Sequence, residues 1–384
     1  MTRVPIDPQM LRWARERAGL EVEDLLARFK KLPEWETGSA NPTLKQLDAF
    51  AHAVHVPVGT LFLPEPPEER LPIPDFRTVE NRTVARPSPN LLDMLYACQE
   101  RQAWYRDFAQ VAGQPPRAFV GRADRSMPPD AVAADIRATL GVDLEQRAAC
   151  RTWEEALRLF IQQADQAGVL VMVSGVVLSN THRKLNPEEF RGFALSDPLA
   201  PLVFINGADT KSAQMFTLAH ELAHLWLDAT GLSDAGAAPV SGGPAEEVWC
   251  NAVAAEVLVP LAALRPALSD DEGLDDAMAR LARQFKVSSL VILRRLLDAG
   301  WLDRAAFEQA WQQERARLLA LSARAGGGGD FYKTTISRVS RRFTRAVVSN
   351  TLEGQTLYRD AFRMLGVAKT STFNTIGREV GVML

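Results

Sequence analysis

Residues 216–227 read FTLAHELAHLWL, and the fold turns on how this stretch is understood. Residues four apart share a face of an α-helix, so His220 and His224 point the same way, and neutral imidazoles suit Zn2+ at about 2.0 to 2.1 Å. Glu221 is one residue along, where its carboxylate reaches a water on the metal rather than the metal itself and serves as general base. Leu218, Ala219, Leu222, Ala223, Leu225, Trp226 and Leu227 surround this trio, so without it the helix is apolar nearly all round. Burying three ionisable groups there is costly unless something compensates them, and a metal does so. The competing account is a buried amphipathic helix whose histidines hydrogen-bond locally.

Two imidazoles leave such a site one protein ligand short. In PAEEVWCNAVAAEVLVP, residues 244–260, Pro244 opens a helix that ends at or before Pro260. Glu247 and Asn251 share a face with Ala254, Ala255 and Leu258, small enough to pack closely on the 216–227 helix. Glu246 points about a quarter turn away and Glu256 is off the face too, so Glu247 is the expected third ligand. Asn251 is expected to orient His220 or His224 through the other ring nitrogen. A surface acid favoured by the helix dipole is the competing account of Glu247, and Cys250 beside this face is read as core. No tyrosine occurs between Tyr105 and Tyr332, so His182 or Arg183 in THRKL is the candidate donor to an oxyanion or substrate, against local ion pairing for each. The run PLVFIN, 201–206, is read as an edge strand on which an extended peptide substrate adds.

Around this centre the chain of 384 residues has room for two to four domains. Residues 1–63 read as short helices: Leu11, Ala14 and Ala18, then Leu25, Leu26 and Phe29, then Leu44, Leu47, Phe50 and Ala51 recur at helical spacing, with Thr43 as a cap. A proline-rich linker, 64–89, contains PEPPEERLPIPDFR. The core, 90–262, begins with a helix from near Asn90 to about Ala112; a second helix opens at TWEE, with Thr152 and Glu155 as a capping box, and stops at Gly168. VLVMVSG and PLVFIN are its strands, separated by a loop containing THRKLNPEEFRGF. Residues 263–325 are helical, with a turn at Lys286 to Ser288. Residues 326–384 are a GGGG linker and a basic helical segment. The fold class expected is mainly α, α+β.

Cys98, Cys150 and Cys250 lie far apart, which argues against a disulfide framework and leaves a metal to His and carboxylates. With a charged N-terminus and no run near the ~18 apolar residues of a membrane span, a cytoplasmic location with no membrane contact is expected. Net charge is −3, but residues 331–384 carry nine Lys/Arg against three Asp/Glu, a surplus of six that leaves −9 for the rest. This asymmetry suits an acidic partner or nucleic acid, or a solvated helical surface.

HRKLNPEEFRGFAL, PLVFING, FTLAHELAHLWL and EEVWCNAVAAEVLVP, in that order, resemble the ImmA/IrrE metallopeptidases over roughly residues 126–300. The resemblance implies a zincin-like core with a small sheet, Zn2+ held by His220, His224 and Glu247, Glu221 as base, and a protein substrate, a transcriptional repressor or an antitoxin. LRWARERAGLEVEDLLARF, WETGSANPTLKQLDAFAHAV and VPVGTLFLPE resemble an Xre-type helix-turn-helix, which implies contact with DNA. This part departs from the pattern. Only KKLPE separates Phe29 from Trp35, too short for a turn plus recognition helix. Residues 1–62 also carry eight Lys/Arg against eight Asp/Glu, where a DNA binder shows a basic face. Protein docking is the competing role for this module. FKVSSLVILRRLL resembles the helix-turn-helix-like subdomain that follows the peptidase core, and Arg294 and Arg295 are candidates for phosphate contact, against simple packing. The helical modules at both ends are candidates for homodimer contacts. The rival to a peptidase is a DNA-binding regulator or antitoxin component with a vestigial or structural zinc site.

Overall fold

The computed structural model describes residues 3–75, 87–233, 244–269, 271–322 and 331–383. They fall into two compact units, residues 1–72 with 85–93 and residues 73–84 with 94–384.

In the first unit, α1 (Pro8–Arg17), α2 (Val22–Leu26), α3 (Leu32–Glu36) and α4 (Leu44–Ala53) enclose Leu11, Phe29, Leu32, Trp35, Leu47 and Phe50. Asp7 caps α1 by accepting from the Gln9 amide, with Pro8 at the first helical position; Thr43 and Gln46 form a reciprocal capping box at α4. α3 is a single turn, and Pro33 at its start limits its upstream extension. Leu32, Trp35 and Glu36 face inward, and Glu36 takes a bidentate pair from buried Arg15, Nε–Oε1 at 2.7 Å and Nη2–Oε2 at 3.2 Å. Outward, α3 shows Pro33 and Glu34.

α5 (Pro89–Val111) leads into the second unit, followed there by α6 (Pro129–Leu140), α7 (Leu144–Ala149) and α8 (Trp153–Ala167). At α8 Thr152 caps the Glu155 amide, but Glu155 reaches the amide of Arg151 rather than of Thr152, so the expected capping box is displaced by one residue. Six strands follow: β1 (Leu170–Ser174), β2 (Val176–Val177), β3 (Asn180–Lys184), β4 (Gly192–Leu195), β5 (Leu202–Asn206) and β6 (Gly231–Ser233). The main sheet has the order β1-β5-β4-β6, with β1 parallel to β5 and the other pairs antiparallel; β2 and β3 make a separate hairpin.

Two expectations are corrected here. PLVFIN is β5, an interior strand paired on both sides and buried along its whole length, as an unbroken apolar run covered on both faces should be. THRKLNPEEFRGF is not one loop: it contributes β3 and the first residues of β4. Asn180–Lys184 is polar and largely solvent-facing, so it lacks the apolar alternation that marks a strand.

Between β5 and β6 comes α9 (Lys211–Trp226), capped by Thr210 and buried from Gln214 to Trp226 without a break. It packs on α8, β4 and β5, and α10 (Ala245–Leu258) packs on it and on α6. Then come α11 (Leu261–Leu264), α12 (Leu274–Phe285), α13 (Ser289–Asp298) and α14 (Arg304–Ser322). Lys286 closes α12 in the left-handed region (φ 54°) and Ser288 caps α13, which makes the turn between them. Arg295 is buried against Glu256 and Asp298, and Arg294 pairs with Asp298 at 2.9 Å, so both pack and neither is presented to phosphate.

The GGGG run lies outside the described residues. Beyond it α15 (Phe331–Val339), α16 (Arg341–Leu352), α17 (Tyr358–Leu365) and α18 (Thr370–Glu379) belong to the second unit, with α15 against β1. Part of the basic surplus is used there. Arg342 donates to the Asp165 and Gln166 carbonyls and to Tyr105 Oη, and Arg363 pairs with Glu100 at 2.6 Å. Among the described residues no single helix is long and apolar enough to cross a membrane.

Candidate metal centre

α9 and α10 bring His220, His224 and Glu247 together, with one donor atom of each inside a span of 4.8 Å. His220 Nε2 and His224 Nε2 are 3.0 Å apart, His224 Nε2 is 3.0 Å from Glu247 Oε1, and His220 Nε2 is 3.3 Å from Glu247 Oε2. A tetrahedral ion with bonds of about 2.0–2.1 Å has edges of about 3.3 Å, so these separations suit donors arranged for one ion. Both histidines are fully buried and Glu247 is 4 % exposed.

α10 also holds the far side of each imidazole. Asn251 Oδ1 lies 3.0 Å from His220 Nδ1, and Glu246 Oε1 lies 3.3 Å from His224 Nδ1. Adjacent glutamates thus straddle one ring, Glu247 at Nε2 and Glu246 at Nδ1. The expectation that Glu246 points away from the site does not hold: a quarter turn of helix is the offset between the two nitrogens' partners. An acceptor at Nδ1 fixes the hydrogen there and leaves the Nε2 lone pair for the cluster. Burial alone would raise the Glu247 carboxyl, but His220 and His224 outweigh it and hold it at about 2. At His224 burial would favour the neutral ring, yet Cys250, Glu246 and Glu247 outweigh it and raise its pKa well above the ordinary value. Cys250, buried beside His224, has its thiol pushed up by burial.

Glu221 is fully buried between α9 and the sheet. Its Oε1 accepts from Ser233 Oγ on β6, while Oε2 has no hydrogen-bond partner among the described residues. Burial raises its pKa, and His220 and His224 offset part of the rise. β4 reaches this close because Gly192 carries no side chain: a Cβ there would stand 2.9 Å from Glu221 Oε1 and 2.8 Å from the Phe204 carbonyl. Neither Ser233 nor Gly192 is singled out by sequence reasoning. The glycine in FRGFAL was the available signal, since an isolated glycine in a strand marks close approach. His182 and Arg183 stand on β3, His182 exposed with its amide bonded to Asn180 Oδ1. The contacts described for the cluster run instead to Asn251, Glu246 and Cys250.

An unpartnered buried carboxylate oxygen beside two imidazoles and a carboxylate fits a metal with a reacting water, and two His with one Glu is an established donor set for catalytic zinc. Residues 164–297 match the peptidase family M78 model, described as an IrrE N-terminal-like domain. The central stretch is similar to IrrE-type peptidases. Residues 339–379, over α16 to α18, match a domain of unknown function (DUF8813). A comparison with curated proteins gives no match. The central match covers both metal-bearing helices and the sheet, and supports a metallopeptidase of the ImmA/IrrE type with a protein substrate.

Proposed function

We propose that the chain is a cytoplasmic zinc endopeptidase that cuts a partner transcriptional regulator or antitoxin. The observation that carries this reading is the convergence of His220, His224 and Glu247 in a buried site beside the free oxygen of Glu221. His220 and His224, through Nε2, and Glu247 would hold the ion. When bound, zinc supplies Lewis acidity, lowering the pKa of a water toward neutrality and polarising the scissile carbonyl. Glu221 takes the proton from the attacking water at Oε2 and delivers it to the leaving amine. Ser233 keeps the other carboxylate oxygen occupied, so the free one is always turned to the reaction. A carboxyl raised by burial is nearer the range in which it both accepts and returns a proton. Asn251 and Glu246 keep both imidazoles presenting Nε2. His182 and Arg183 enter as substrate contacts at most, since the hairpin that bears them is solvent-facing.

For the first unit we propose docking of the protein partner rather than reading of DNA. The one-turn α3 turns Trp35 and Glu36 inward and shows solvent a proline and a glutamate, neither suited to phosphate or base edges.

Metal analysis of purified wild type, Glu247→Ala, His220→Ala and Glu221→Gln tests the centre. About one zinc per chain is expected in wild type and Glu221→Gln, and none in the other two. Glu221→Gln should then accumulate the uncut partner as a stable complex. Zinc absent from folded wild type, or full cleavage by Glu221→Gln, would sink the reading.

A further inference from the structure

The main sheet ends at β6, whose outer edge is free to pair with a further strand. That edge runs up to the proposed base, since Ser233 at its end donates to Glu221. The opposite end of the sheet, β1, has α15 against it.

The chain's own linker sits on the β6 edge. The Leu232 amide donates to the Pro74 carbonyl at 2.9 Å, Asp75 bridges to Leu232 in the parallel sense, and Ile73 is 7 % exposed. Proline suits this segment to weak occupancy. Pro72 and Pro74 have no amide hydrogen, so around Ile73 the segment accepts but donates little, and among the described residues the pairing is one isolated bridge.

We propose that the outer edge of β6 is where an extended, proline-poor polypeptide lies as an added strand, and that Ile73–Asp75 is a built-in competitor for it. A guest with amides at alternate positions makes the ladder that the proline-flanked segment cannot, and so displaces it. Ser233 then sets the guest's backbone beside Glu221. The inference rests on the peptidase reading for the guest being substrate, and not for the edge itself.

The test needs neither metal nor turnover. In the full chain, Ile73→Asp puts a carboxylate where a buried apolar side chain anchors the segment, and Ile73→Ala is the milder variant should the first not fold. Hydrogen exchange over Gly231–Ser233 is one readout. Fluorescence anisotropy of a labelled peptide with the sequence of residues 69–78 is the other. In both variants the Leu232 amide should exchange roughly ten-fold faster than in wild type. The peptide should bind the variants roughly ten-fold more tightly than it binds wild type, and its Ile73→Asp form should bind neither. Unchanged exchange in a folded variant, or a peptide that does not bind it, overturns the proposal. An edge that opens in a chain without zinc would sink the peptidase and leave the edge standing; a zinc-loaded chain whose edge is unaffected would do the reverse.

Discussion

Asn251→Ala isolates what one hydrogen bond contributes to metal affinity. His220 Nδ1 and Asn251 Oδ1 are 3.0 Å apart, with His220 at 0 % and Asn251 at 7 % exposure, so water does not readily replace the lost partner. An amide oxygen only accepts, so the ring nitrogen facing it carries the hydrogen and Nε2 keeps its lone pair. Truncation leaves a buried donor unsatisfied, at about 1–3 kcal/mol, and lets the ring carry its hydrogen on Nε2, where a metal would bind. Losing such a partner typically lowers metal affinity about 10–100-fold. That factor corresponds to about 1.4–2.8 kcal/mol, the same size as the hydrogen bond, so no further effect is needed. The zinc dissociation constant, measured by competition with a chromophoric chelator, should rise by that factor in folded Asn251→Ala. Asn251→Asp keeps an acceptor at the position and should recover most of the loss. If folded Asn251→Ala binds zinc as tightly as wild type, the ring is held by something else and the reasoning is wrong.

Gly192→Ala drives a Cβ to 2.8 Å from the Phe204 carbonyl and 2.6 Å from Thr217 Cγ2, so the sheet or α9 must shift; about 1–3 kcal/mol of stability should be lost in a urea titration, with zinc content retained. Arg295→Met strands the Glu256 carboxylate and the Val259 carbonyl, which should cost about 3–5 kcal/mol by the same assay, and adding Glu256→Met should restore much of it. The pH dependence of stability should change sign with the metal. Without it, the raised pKa of His224 stabilises the fold fully below the unfolded value of about 6.5, and this is lost as pH rises through the folded value. With zinc the same ring must be unprotonated, so affinity and stability fall with acid instead. Thermal melts of chelated and zinc-loaded protein across pH 5 to 9, roughly spanning the histidine range, should slope oppositely; parallel slopes would contradict the assignment.

The parts of the site carried by long helices were legible, because helical spacing fixes which residues share a face. His220 with His224, and Glu247 with Asn251, are four apart, and the structure brings all four into one cluster. What escaped depends on contacts distant in sequence. Ser233 sits in a three-residue strand with no period to detect, and it matters only because β6 pairs with β4 beside Glu221. β5 was taken for an edge because composition does not say which strands flank an apolar run. Glu246 escaped for a geometric reason: a helical wheel marks directions from an axis, whereas an imidazole offers donors on two sides. The mainly helical α+β class was readable from the spacing of apolar residues, but the docking of α15 on β1 was not, since nothing in Phe331–Val339 names its partner.

α10 is the element on which the centre depends most. It supplies Glu247 as a ligand and a partner for the outer nitrogen of each histidine, so a shift of this one helix disturbs three contacts at once. Its C-terminal carbonyls, left without intrahelical partners, are held by arginines from three other elements. Arg137 of α6 donates to the Glu256 carbonyl at 2.6 Å, Arg147 of α7 to that of Leu258, and Arg295 of α13 to that of Val259 at 2.9 Å. Burial pushes Arg147 down to about 10, which still leaves it charged at neutral pH and favourable at the negative end of the helix. α13 comes from the segment that resembles a helix-turn-helix-like appendage, yet its buried arginine fixes the helix that carries the metal ligand. Its role is therefore structural support of the centre, and a truncation before α12 should cost metal binding as well as stability.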